Sequence, residues 1–366
     1  MEIGIIGLPK IGKTTIFNAL TKGKAETATY SPTMLAPNFG VTKVPDPRLQ
    51  MLKEMFHPKR TVPAEVRYVD IAASPKGFGK GEGVSGQFLA HLSNVDAIIH
   101  VVRAFKDERI HHIEGSIDPE RDIKTVALEL AFSDLTIIER RLDRITTSLK
   151  GAKQQEREGY LHEQALLAKV KSELENEVPL REQGLTEGEA KLVTGYQFLT
   201  AKPLLIVLNM GEEQLPQASS LEAELCLRYQ RPQLQIVALC GKLEMELAQL
   251  GDAEAREFRS ALGLGESGLD RIVRMSHELL GLITFFTTAS AEVKAWTIPR
   301  GTSALKAAGR IHSDMERGFI RAEVIGHDDL VRCASPAEAR KRGLLRLEGK
   351  KYAIQDGDVV TFLFNV

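Results

Sequence analysis

One run near the start of the chain has the residue types and the spacing that bind a nucleotide phosphate. Residues 7–14, GLPKIGKT, fit the pattern G-x-x-x-x-G-K-[ST] completely. In that pattern, glycines let backbone N–H groups turn toward phosphate oxygens, while the lysine reaches the β- and γ-phosphates and the hydroxyl ligates Mg²⁺. The chain is therefore predicted to hold a magnesium nucleotide on Gly7, Lys10, Ile11, Gly12, Lys13, Thr14 and Thr15. The alternative, a glycine-rich turn without a ligand, is disfavoured because an apolar strand precedes the motif and a helix follows it.

Three further segments carry residues that suit the same site. Asp70 ends an apolar stretch after the motif, and a carboxylate in that position can hold the metal through water; a simple turn or cap residue is the alternative. The segment after PLLIVL (203–208) supplies Asn209, Met210 and Glu212, and the segment after LQIVAL (234–239) supplies Cys240, Gly241 and Lys242. Base-reading loops of nucleotide switch proteins often occupy the first of these places as Asn-Lys-x-Asp. Glutamate does not present the same carboxylate fork to guanine as aspartate, so guanine specificity is not favoured. The stem of Lys242 is suited to cover a base ring.

The elements that position these residues are visible in the hydrophobic pattern. Short apolar runs at 2–6, 62–70, 96–102, 203–208 and 234–239 predict strands, and the helical stretches between them indicate an α/β fold with a mostly parallel sheet. Residues 24–48 and the glycine-rich stretch 73–86 are predicted to be loops. Amphipathic helices at 122–150 and 160–178, with a turn at 151–158, predict an antiparallel helical hairpin. Alternating strands at 293–298, 319–324 and 359–364 indicate a separate C-terminal α+β module.

Composition excludes several classes of protein. The 366 residues include 48 Lys plus Arg and 49 Asp plus Glu, a net charge of −1, so nucleic-acid binding by bulk charge is excluded. No apolar run is long enough to span a membrane, and three widely spaced cysteines indicate reduced thiols and a cytoplasmic protein. A local charge of +4 in residues 337–351 leaves ribosomal RNA open as a partner; a solvated charged face is the alternative.

Taken together, these residues resemble the YchF/Obg-like ATPase family of P-loop proteins. The resemblance covers nearly the whole chain through GLPKIGKTT (7–15), PNFGVTKVPDPRL (37–49), KGFGKGEGVSGQFL (76–89), HVVRAF (100–105), NMGEE (209–213), AWTIPRGTSALKAAGRIHSDMERGFIRAEVI (295–325) and EGKKYAIQDGDVVTFLFNV (348–366). It implies a Ras-like nucleotide domain in two parts (1–121 and 199–282), an inserted helical coiled-coil hairpin (122–198) and a C-terminal β-grasp, or TGS, domain (283–366). It also implies Mg²⁺, hydrolysis of ATP in preference to GTP, and association with the ribosome.

The sequence departs from the family at positions that sense the γ-phosphate. Ala73 stands where the family has glycine, and Ser74 follows where it has an apolar residue. Met34 falls on the family's switch threonine, so only the neighbouring Thr33 could supply a metal-ligating hydroxyl. His112 matches the position of a candidate catalytic histidine; a solvated loop histidine is the alternative. These departures predict a slow ATPase switch.

Two other functions are compatible with parts of the sequence. A nucleotide-dependent ribosome- or RNA-binding module with little hydrolysis would share the phosphate loop. A metabolic phosphotransferase would need a small-substrate pocket and a catalytic base, which the sequence does not indicate, and the TGS-like tail argues against it.

Overall fold

The computed structural model describes residues 1–23, 37–71, 86–289 and 291–365. Within them the chain forms two compact units. The first unit contains residues 1–40 and 67–272, and the second contains residues 41–66 and 273–366. None of the described helices has an apolar stretch long enough to cross a membrane.

The described secondary structure runs as follows. The strands are β1 (Glu2–Ile6), β2 (Asn38–Lys43), β3 (Arg60–Val62), β4 (Glu65–Asp70), β5 (Ala97–Arg103), β6 (Leu204–Asn209), β7 (Leu234–Leu239), β8 (Leu282–Ala289), β9 (Glu292–Pro299), β10 (Phe319–Gly326), β11 (Arg346–Glu348) and β12 (Asp358–Phe364). The α-helices are α1 (Lys13–Thr21), α2 (Pro47–Phe56), α3 (Gly86–Asn94), α4 (Pro119–Leu149), α5 (Gln154–Glu175), α6 (Glu187–Val193), α7 (Ala218–Arg228), α8 (Gly241–Leu247), α9 (Asp252–Ala261), α10 (Gly268–Leu279), α11 (Ala304–Ile311), α12 (Ser313–Arg317), α13 (His327–Cys333) and α14 (Pro336–Lys341). Short 3-10 turns lie at Leu180–Glu182, Thr194–Tyr196, Leu199–Ala201 and Glu212–Gln217.

The first sheet has the strand order β2-β4-β1-β5-β6-β7, and the four pairings from β4 to β7 are parallel. Strands β5 and β6 are buried along their whole length, as expected of parallel strands covered on both faces. Because parallel strands end at one edge, the segments after β1, β4, β6 and β7 meet there. The predicted α/β fold is confirmed, and the phosphate loop, Asp70 and both base-loop candidates share that edge.

Two predictions about residues 24–70 are wrong in detail. Residues 38–43 form strand β2 rather than loop; because it is a largely exposed edge strand, it lacks a clear alternating pattern. Helix α2 also begins inside the expected loop, where Asp46 accepts the N–H of Arg48 and Pro47 occupies the first turn. The single strand expected at 62–70 is two short strands that join different sheets.

The helical hairpin consists of α4 and α5. Their antiparallel pairing is visible in two ion pairs, Arg141 with Glu163 at 2.7 Å and Glu139 with Lys171 at 2.9 Å. The seam between them buries apolar side chains of both helices, namely Ile138, Ile145, Leu166, Leu167, Val170 and Leu174. Helix α5 begins at Gln154, within the turn expected at 151–158, because most of that polar segment continues the helix.

Asp134 attaches the hairpin to the main part of the first unit. Its buried carboxylate accepts the backbone N–H groups of Leu199 and Thr200, each at 2.8 Å, and the hydroxyl of Thr200 at 2.6 Å. Burial raises the pKa of Asp134 to about 6, although these donors oppose that shift.

The second sheet has the order β11-β10-β12-β8-β9-β3. Helix α11 packs on one face, where Ala304, Ala307 and Ala308 join Phe285 and Val324 in a buried core. This β-grasp arrangement confirms the fold expected of the C-terminal residues, including the three strands predicted there.

One segment from early in the chain belongs to this second unit. Strand β3 runs parallel to β9, and Val44 donates its N–H to Ala64 at 2.8 Å. Arg48 pairs with both Asp46 and Asp356, each at 2.8 Å. The predicted boundaries place residues 41–66 in the nucleotide domain, whereas their contacts place them in the second unit.

Candidate functional site

The phosphate loop connects β1 to α1 through a backbone that requires glycine. Gly7 has φ 155° and Gly12 has φ 84°, both on the side that favours glycine. A Cβ on Gly7 would lie 2.5 Å from the carbonyl oxygen of Val101. Helix α1 begins at Lys13 with no acidic residue in its first turn, and Gly12 has no side chain to cap it. The first N–H groups of the helix are therefore available to an anion.

Asp70 contacts the last two residues of the motif, Lys13 and Thr14. Lys13 Nζ forms an ion pair with Asp70 Oδ1, and Thr14 Oγ1 donates to Asp70 Oδ2 at 3.3 Å. The Asp70 carboxylate is almost completely buried. Hydroxyl and carboxylate oxygens are the hard donors that Mg²⁺ prefers. Within the described residues there is no group of three or more His, Cys, Asp and Glu side chains that could hold a metal ion.

Asn209 connects the phosphate loop to the second base-loop candidate. Its Nδ2 donates to the carbonyl of Ile11 at 2.8 Å, and its Oδ1 accepts the N–H of Gly241 at 3.0 Å. A Cβ on Gly12 would lie 2.3 Å from that Nδ2, so this approach requires glycine. Both ends of its buried amide are hydrogen-bonded to backbone, so Asn209 fixes the two loops relative to each other. The amide nitrogen carries a second N–H and the oxygen a second lone pair, so the contact of Asn209 with the base stays a prediction.

The remaining base-loop residues differ sharply in exposure. Met210 and Cys240 are buried, and burial raises the pKa of the Cys240 thiol. Glu212 and Lys242 are more than half exposed, with Lys242 Nζ 3.0 Å from Glu212 Oε1. The hydrogen bond that Lys242 donates to the Glu212 carboxylate raises the pKa of Lys242. Exposed pairs of this kind are weak, so the two side chains can separate to contact a ligand.

His112 lies in a polar cluster of its own. Its side chain is buried, with Nε2 2.9 Å from Asp122 Oδ2 but outside good hydrogen-bond alignment. The N–H of Glu114 donates to Nδ1 at 3.2 Å. Within the described part of the chain, the polar partners of His112 lie between residues 114 and 122, and no atom of the phosphate loop is among them. The buried position excludes the solvated loop alternative, and a catalytic role stays a prediction.

Arg103 is a residue that the sequence analysis missed. It ends the buried strand β5, and its guanidinium donates to the carbonyls of Phe105 at 3.2 Å, Asp107 at 3.2 Å and Ile110 at 2.9 Å. It also lies 4.4 Å from the centre of the Phe105 ring. Burial lowers the pKa of Arg103, but three carbonyl acceptors hold its charge. The signal in the sequence is a charged residue at the end of an otherwise apolar strand. Such a residue needs hydrogen-bond partners nearby, and here they are the carbonyls of residues 105–110.

Several predicted residues lie outside the described ranges. These are Thr33, Met34, Ala73 and Ser74, and their roles at the γ-phosphate stay predictions.

Comparison with known proteins gives consistent matches along the chain. Residues 2–133 match the family described as 50S ribosome-binding GTPase, and residues 282–365 match the YchF GTPase C-terminal family, described as a protein of unknown function. The ribosome-binding ATPase YchF of Bacillus subtilis (strain 168) is 44% identical over 100% of both chains. That of Escherichia coli O157:H7 is 41% identical over 100% of this chain and 99% of its own length. The structure of the Schizosaccharomyces pombe YchF GTPase aligns with TM-score 0.85 and 31% identity, covering 99% of this chain and 97% of that one.

Proposed function

The chain belongs to the YchF family of P-loop nucleotide hydrolases, and we propose that it hydrolyses ATP in preference to GTP, slowly, as a switch that associates with the ribosome. The observation that carries this proposal is the group formed by Lys13, Thr14 and Asp70 at the start of α1. Two relatives named as ribosome-binding ATPases support the choice of nucleotide and partner. Ribosome association places the protein in the cytoplasm, which suits the free thiols of its three cysteines.

The phosphate loop supplies positive charge and N–H donors to the nucleotide. Lys13 exchanges its partner Asp70 for the β- and γ-phosphate oxygens, because one ammonium cannot serve both fully. Thr14 and Asp70 would hold Mg²⁺, whose positive charge would stabilise the charge that develops on the phosphates. Asn209 keeps the backbone of Ile11 in place while this exchange occurs.

Glu212 and Lys242 contact the base of the nucleotide. Both are exposed at the end of the sheet that carries the phosphate loop, and neither is committed to a buried partner. A glutamate in place of aspartate disfavours guanine, because its longer side chain presents the carboxylate differently to the base. The apolar stem of Lys242 covers the ring of the base.

Slow turnover follows from the residues that replace the usual γ-phosphate sensors. Met34 cannot ligate Mg²⁺ through a hydroxyl, and Ala73 restricts a backbone that glycine would leave free. His112, as a candidate for positioning water, is buried beside Asp122 and must change its surroundings before it acts. These residues also favour the second candidate function, a nucleotide-dependent ribosome-binding module with little hydrolysis.

Phosphate release from ATP and GTP, measured with and without ribosomes, tests this function. We expect faster release from ATP and loss of release in Lys13→Ala, while Lys124→Ala, which removes an exposed lysine of α4, behaves like the wild type. Faster release from GTP, or full activity in Lys13→Ala, would contradict the proposal. Ribosome pelleting that depends on nucleotide, without measurable release, would favour the second candidate.

A further inference from the structure

Helix α9 directs its large apolar side chains toward solvent. Phe258 is 51% exposed, Leu262 just after the helix is 50% exposed and Leu250 just before it is 41% exposed. An open groove of about 430 Å³ runs along this side, which we call the α9 groove; it is lined by Leu250, Glu254, Glu257, Phe258 and Ala261. Single exposed apolar residues are common, but Leu250 and Phe258 line one groove, and Leu262 lies one helical turn from Phe258, which indicates an interaction site.

The opposite side of the helix holds it to the first unit through polar contacts. Arg259 Nη2 donates to Glu244 Oε2 at 2.9 Å and to Ser267 Oγ at 3.1 Å. Glu244 Oε1 accepts the N–H of Gly268 at 2.8 Å, and Ala255 is buried one turn before Arg259. Ala255 and Arg259 therefore attach the helix to the first unit. The exposed apolar side of the helix takes no part in this attachment.

The rim of the α9 groove is acidic. Glu254 and Glu257 both lie on the face that carries Phe258 and Ala261, because positions three and four apart share a helix face. Glu254 also caps the helix by accepting the N–H of Gly251 at 3.3 Å, and Glu257 has no ion-pair partner among the described residues. At 100° per residue, Arg256 lies about 160° around the helix from Phe258, so it does not neutralise this rim.

We propose that the α9 groove binds a basic amphipathic protein segment, with large apolar side chains one helical turn apart and Lys or Arg beside them. The apolar floor accepts the anchors, and the two carboxylates pair with the flanking cations. Nucleic acid does not fit, because an acidic rim repels phosphates. Resting on the proposed function, we assign this segment to a protein on the surface of the ribosome.

A synthetic peptide tests the chemistry of the groove in the full chain. The probe is a fluorescein-labelled 14-residue Leu/Lys amphipathic helix, and a Leu/Glu peptide of the same pattern is the control for charge. We expect the Leu/Lys peptide to bind, and Phe258→Ser and the double variant Glu254→Lys/Glu257→Lys to weaken binding by at least about tenfold. Leu227→Ser, at a side chain 78% exposed on α7 and outside the groove, should bind like the wild type. Wild-type affinity in Phe258→Ser, no binding at all, or equal binding of both peptides would overturn the proposal.

Ribosome pelleting tests the assigned partner with the same variants, after thermal unfolding shows that they fold like the wild type. We expect the wild type and Leu227→Ser to pellet, and both groove variants to pellet about tenfold less. Groove variants that pellet like the wild type would overturn the assignment to the ribosome. Failure of the wild type to pellet in any nucleotide state would refute the proposed function instead, and the peptide titration would still decide what the groove binds.

Discussion

Replacing Asn209 with alanine tests how much of the nucleotide site is held by one side chain. The amide makes two buried hydrogen bonds, to the carbonyl of Ile11 and from the N–H of Gly241. Alanine removes the amide and so leaves the carbonyl of Ile11 and the N–H of Gly241 unpaired. Each unpaired buried group costs about 1–3 kcal/mol of stability. Water entering the vacated space restores part of this, so we expect the free energy of unfolding to fall by about 2–4 kcal/mol.

The same change should weaken nucleotide binding. If about 1.4 kcal/mol of the loss comes from a phosphate loop that is no longer held in its binding shape, affinity for an ATP analogue falls about tenfold. Urea denaturation and calorimetric titration measure the two effects. The control is Glu187→Gln on α6, away from the nucleotide site, which changes an exposed pair with Lys191 worth at most about 1 kcal/mol. Asn209→Ala with stability within about 0.5 kcal/mol of the wild type, and with unchanged affinity, would refute the view that Asn209 organises the site.

Three other predictions concern single residues. Gly12→Ala places a Cβ 2.3 Å from Asn209 Nδ2 at φ 84°, so thermal unfolding and titration should show lower stability and no nucleotide binding; binding at wild-type affinity would contradict this. The raised pKa of Asp134, about 6, means that the folded chain binds this proton more tightly than the unfolded chain. Stability should therefore fall by up to about 3 kcal/mol as pH rises from 4 to 6, a dependence that Asp134→Asn should remove in a urea series. Burial lowers the pKa of His100 to about 3, so the unfolded chain binds this proton more tightly than the folded chain. Stability should therefore fall as pH falls below about 6.5, and His100→Leu should remove that loss in the same urea series. Unchanged pH slopes in these variants would contradict the two assignments.

The part of the site that follows from local sequence could be predicted. The phosphate loop is a continuous motif between a strand and a helix, so its residues come together without any long-range information. Asp70 required one further step, the parallel pairing of β1 with β4, and the buried pattern of both strands supports that pairing. The hairpin was predictable because its apolar seam repeats along two long helices.

Features that depend on distant partners could not be predicted in this way. Strand β3 has three residues and pairs with β9 more than 200 residues later, so no local pattern shows its place. The two hydrogen bonds of Asn209 depend on where the segments after β1 and β7 converge, and the acceptors of Arg103 depend on the path of residues 105–110. Helix α9 would be expected to bury Phe258, yet a partly buried ion pair between Arg259 and Glu244 holds the other face inward.

The central claim, a phosphate loop that binds an adenine nucleotide, is tested most directly by calorimetric titration with non-hydrolysable ATP and GTP analogues in the presence of Mg²⁺. The account predicts binding of the ATP analogue at one site, weaker binding of the GTP analogue, and loss of both in a folded Lys13→Ala variant. Tighter binding of the GTP analogue, or unchanged binding in Lys13→Ala, would contradict it.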